Sequence, residues 1–61
     1  MDYQAIKLEL AAARQLLDAG DVAAADKKIR AMAGKGLTRA DLDANLTAAQ
    51  IKMLRDHARQ S

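Results

Sequence analysis

Cysteine, proline, phenylalanine and tryptophan are all missing from this 61-residue chain, and tyrosine and histidine each occur once. Without cysteine there is no disulfide, no thiolate for a metal and no sign of an oxidising compartment. Without proline, and with only one valine, three isoleucines and two threonines, little in the chain opposes a helix. The shortage of aromatics removes the platforms on which single-stranded nucleic acid stacks. No apolar run approaches the roughly 20 residues that cross a bilayer. The opening Met-Asp-Tyr-Gln lacks the basic and apolar regions of a secretory leader. These absences predict a cytoplasmic protein that neither enters nor crosses a membrane.

What is present is alanine and leucine. Fifteen alanines and eight leucines make up most of the hydrophobic 51%. A chain this short buries only about 60% of its unfolded surface. Each large aliphatic contributes roughly 1.5–3 kcal/mol against about 1.5 kcal/mol of entropy per ordered residue. With no covalent or metal staple, self-association or docking on a partner is the expected supplement.

The helix punctuation is explicit. Asp2 suits the N-cap of a helix over about 2–19, and Gly20 suits the left-handed position after it. Asp21 then caps a helix over 22–33, which Gly34 and Gly36 end. Thr38 with Asp41, and Thr47 with Gln50, have capping-box spacing. Leu37/Leu42 and Leu46/Ile51 are placed as hydrophobic staples around them. Helices over 39–45 and 48–59 follow. The predicted fold is all-α: one domain over 1–61, an antiparallel αα-hairpin followed by one short and one longer helix, dimeric.

Tyr3, Ile6, Leu10, Ala13 and Leu17 are spaced 3-4-3-4, and Val22, Ala25, Ile29 and Met32 repeat that rhythm. These two seams should face each other, with Ala13 and Ala25 allowing close approach. The first helix has a second stripe, Ala5, Leu8, Ala12 and Leu16, which a two-helix hairpin cannot cover. Its cover is expected from the last helix, through Ile51, Leu54 and Ala58, or from another chain. Tyr3, Leu8, Ala12, Leu16, Ile51 and Leu54 are therefore the apolar interface candidates. Tyr3 is the one aromatic available as an anchor, and it is equally placed as a core residue of the seam.

Gly20-Asp21-Val22-Ala23-Ala24-Ala25, with Ile29 and Met32 beyond, resembles the middle and second helix of a tetratricopeptide repeat. Val22 stands where that family has an aromatic, and the family's Trp and Gly-Tyr positions have no counterpart in the first helix. The resemblance covers about half the chain and a single repeat; it implies a helix-turn-helix hairpin and not a repeat array with a peptide groove. In size and alanine-rich style the chain is also similar to the short proteins that phages and other mobile elements use to inhibit host factors. Anti-CRISPR proteins and anti-activators are of this kind, and the similarity implies stoichiometric binding to a larger protein.

The net charge of +2 is unevenly distributed. Residues 1–26 carry five acids and two bases, whereas 27–39 carry Lys27, Lys28, Arg30, Lys35 and Arg39 and no acid. This basic segment complements the dipole at the end of its helix. It is also a candidate patch for an acidic protein surface, with nucleic acid as the alternative partner. In that alternative, helices 3 and 4 form a helix-turn-helix with Gln50, Lys52 and Arg55 toward DNA. Asp41 and Asp43 oppose it, as does the missing turn glycine.

Catalytic equipment is not apparent. His57 sits near the C-terminus beside Asp56 and Arg59, where a surface role is expected. Thr38 and Thr47 are used as caps, and Gly34-Lys35-Gly36 falls short of a phosphate-binding loop. No paired carboxylates, nucleophile with its base, metal cluster or cofactor motif occurs. The sequence predicts a non-enzymatic interaction protein, an adaptor or stoichiometric inhibitor.

Overall fold

The computed structural model describes residues 3–60. Four helices follow one another: α1 Tyr3–Asp18, α2 Val22–Ala33, α3 Arg39–Asn45 and α4 Ala48–Gln60. All lie within two residues of the predicted bounds; the proposed cap Asp2 falls outside the described residues.

The first turn reverses the chain at Gly20, whose φ of +87° an L side chain rarely adopts. Its N–H donates to the Leu17 carbonyl at 3.0 Å, and that of Asp21 to Leu16 at 2.8 Å. That pair is a Schellman closure of α1. Asp21 Oδ1 then accepts from Ala24 N–H at 3.3 Å and starts α2. At the far end the two glycines divide their roles. Gly34 keeps right-handed angles, φ −70° and ψ −9°. Gly36, at φ +105°, makes the reversal, and Leu37 N–H reaches back to Met32 O at 3.2 Å. Leu37 thereby turns onto the core.

Two reciprocal caps begin the C-terminal helices, as their spacing predicts. Thr38 Oγ1 accepts from Asp41 N–H at 3.3 Å while Asp41 Oδ2 accepts from Thr38 N–H at 3.0 Å. Gln50 N–H donates to Thr47 Oγ1 at 3.1 Å, and Gln50 Oε1 accepts from Thr47 N–H at 3.0 Å.

α1 and α2 pack as the expected antiparallel hairpin. Ile6, Leu10, Ala13 and Leu17 meet Ala25, Ile29 and Met32, with Leu46 completing the buried core. Ala13 and Ala25 are both 0% exposed, consistent with the close approach their size permits. Tyr3 departs from its expected core position and is 53% exposed. The reason is length: α1 has 16 residues and α2 has 12, so α1 reaches about one turn past the end of α2, and Tyr3 lies in that overhang. Its ring instead lies under Lys7, with Nζ 5.3 Å from the centroid.

α4 folds back mainly against α2. Ile51, Met53 and Leu54 are partly buried on the core, while Ala58, expected in this stripe, is exposed. His57 takes the inward place in the last turns, with Nε2 4.0 Å from Asp26 Oδ2. Gln50 is 6% exposed and ties α4 to the end of α1 by donating from Nε2 to Asp18 Oδ1 at 2.7 Å.

Candidate functional site

Because α4 goes to α2, it leaves the second stripe of α1 open. Leu8 is 72% exposed. Ala5 and Ala12 are half-buried, and Leu16 rests partly on the core. Beside this stripe a groove of about 600 Å³ runs between α1 and α2. Its floor is Ala5, Leu16, Ala24, Ala31 and Met32. Its described lining comes from the hairpin and Lys35 alone, so the last helix takes no part in it. Of the apolar candidates, Leu8, Ala12 and Leu16 share this face, whereas Ile51 and Leu54 serve the core on the other side.

The five basic candidates do not form one patch. Lys27, Lys28 and Lys35 border the groove. Lys28 Nζ crosses it to Glu9 Oε2 at 2.8 Å, joining α2 to α1. Both partners remain substantially solvated, so the pair contributes at most about 1 kcal/mol. Lys27 and Lys35 have no ion pair among the described residues. Arg30 lies about 200° round the helix from Lys28. It pairs at 2.8 Å with Asp26, the residue that faces His57. Arg39 belongs to a third region, where its Nε is 3.4 Å from Asp43 Oδ1.

That third region is a groove of about 400 Å³ between α3 and α4, bordered by Arg39, Lys52, Arg55 and Arg59 with Asp43 and Asp56. Lys52 and Arg55, the expected DNA contacts, lie here together with Arg59 and Arg39, which those expected contacts do not include. The 52, 55, 59 spacing was the available signal, since residues three and four apart share a helix face. Gln50, expected to read DNA in the alternative reading, has its amide committed to Thr47 and Asp18.

Among the described residues no group of three or more His, Cys, Asp or Glu side chains is placed to hold a metal ion. No helix of the described residues is long and apolar enough to cross a membrane. Compared with known proteins, the chain matches no family model, no curated protein and no solved structure.

Proposed function

We propose that this protein is a small, non-enzymatic interaction module, an adaptor or stoichiometric inhibitor that binds a larger protein through the open face of its hairpin. The observation that carries the reading is Leu8, 72% exposed beside a groove with an apolar floor and lysines on its border. With eight buried hydrophobic residues among those described, the protein leaves a large leucine in water at a cost, which a partner would relieve. The lysines select for acidic surface on that partner and speed encounter with it. They disfavour a second copy at the same face, because three lysines against one glutamate give each groove a net +2.

The test compares proteins captured from the source cell by the full chain and by Leu8→Glu, with circular dichroism confirming equal helicity. A partner retained by the first and lost by the second supports the reading. Identical captured sets refute it, and light scattering showing a stable dimer that Leu8→Glu dissolves would assign the face to self-association.

A second reading, binding to a nucleic-acid backbone, rests on the α3–α4 groove, where Lys52, Arg55 and Arg59 have no ion pair among the described residues. With Gln50 buried, such binding would be sequence-independent and steeply salt-dependent. Duplex DNA retained equally by wild type and Lys52→Glu/Arg55→Glu removes it.

A further inference from the structure

Resting on the interaction reading above, we infer that the hairpin groove seats an amphipathic α-helix of the partner, acidic along one edge only, with its acids seven positions (two helical turns) apart. The groove has the extent for it. From Ala24 to the end of α2 at Ala33 the α2 side runs about 14 Å, more than two helical turns, and Lys35 in the following turn extends it. Its floor is mostly methyl groups, with Ala5 on one side and Ala24 and Ala31 on the other. Small side chains there let a third helix approach the 8–10 Å spacing typical of packed helices, with the solvated Lys28–Glu9 pair that crosses the groove swinging aside to the rim.

The charges set the orientation of that helix about its own axis. On the α2 border, Lys27 in the helix and Lys35 in the turn just past its end lack ion-pair partners among the described residues and stand eight positions apart in sequence. Lys28, between them, is already neutralised by Glu9. On the α1 border the lining offers only that same engaged Glu9, with the bare Leu8 beyond it. One edge of the occupant thus meets two free cations and the other meets hydrocarbon. In a helix, positions seven apart lie about 10 Å apart and within about 20° of one line, so two acids so placed can meet one lysine in α2 and one beyond its end. Apolar residues three or four positions from each acid would then face the methyl floor. A nucleic-acid backbone would gain nothing from that floor. A second copy of α1 would bring only Glu9 on its open stripe, already held by Lys28.

The experiment uses the full chain and labelled helical peptides of identical composition, measured by fluorescence anisotropy. One peptide has two glutamates seven positions apart beside an apolar stripe; its isomer has them four apart on the same edge. The seven-spaced peptide should bind the wild type about three- to fivefold more tightly than the isomer, the scale expected when one further ion pair forms at an exposed rim. Lys27→Glu/Lys35→Glu, two exposed positions, should reverse the preference in favour of a lysine version of the same peptide. Equal affinity for both isomers, no binding at about 1 mM peptide, or a charge swap without reversal each overturns the inference. Failure here together with partner capture that still depends on Leu8 rejects only the helical occupant. Failure of both rejects the interaction reading as well.

Discussion

Replacing Gln50 with alanine should cost about 2 kcal/mol, far more than a surface glutamine in a short helix ordinarily does. Two bonds are lost together. Oε1 no longer accepts from Thr47 N–H, which removes half of the cap that starts α4 and costs about 0.5–1 kcal/mol. Nε2 no longer donates to Asp18 at 2.7 Å. A hydrogen bond to a carboxylate contributes about 1.5–3 kcal/mol when buried. Asp18 is exposed and can recruit water instead, so about 1 kcal/mol is appropriate here. Asp18 is also the last residue of α1, where the helix dipole opposes a negative charge, and the amide dipole of Gln50 offsets part of that opposition. For a domain of this size the total lowers the melting temperature by roughly 10 °C. The assay is a double-mutant cycle on the full chain, with Gln50→Ala, Asp18→Ala and the pair measured by urea denaturation. A coupling of about 1 kcal/mol is expected between two residues 32 positions apart in sequence. Additivity within about 0.3 kcal/mol would refute the bond as a tie between α4 and the hairpin.

The glycines offer a contrast of opposite signs. Gly34→Ala should stabilise by about 0.5–1 kcal/mol, because its angles are right-handed and a new Cβ meets only the Ala31 carbonyl oxygen at 3.8 Å. Gly36→Ala should destabilise by about 1–2 kcal/mol through its positive φ, and equal shifts in denaturation midpoint for the two variants would contradict this division of roles. Leu8→Gln should change stability by less than about 0.5 kcal/mol at every protein concentration. A loss that grows with concentration would mean that a second copy covers Leu8 in free solution.

The hairpin was legible because its evidence is local. The 3-4-3-4 spacing of Ile6, Leu10, Ala13 and Leu17 marks one face, and Gly20-Asp21 combines the stop of one helix with the start of the next. The caps at Thr38 and Thr47 follow from side chains three residues apart. What spacing cannot carry is the relative reach of two helices, and that decides Tyr3: its spacing continues the seam, but α2 stops short of it and the side chain is exposed. Spacing marks Gln50 as a cap but not as a tie to α1, because its third partner, Asp18, lies on another helix. The basic run 27–39 read as one patch because a linear count ignores the turn of the helix that sends Arg30 to Asp26. Whether α4 or another molecule covers Leu8 depended on the direction in which the chain leaves Gly36, a matter of three-dimensional path.

Ala13 and Ala25, sealed at the crossing of α1 and α2, govern more than the packing they join. The distance between the two helix axes is a single quantity shared by both sides of the hairpin. A valine at either position would wedge the axes apart and widen the trough on the far side without adding or removing one atom of its lining. Partner selectivity in such a protein can therefore drift through residues that no partner ever meets.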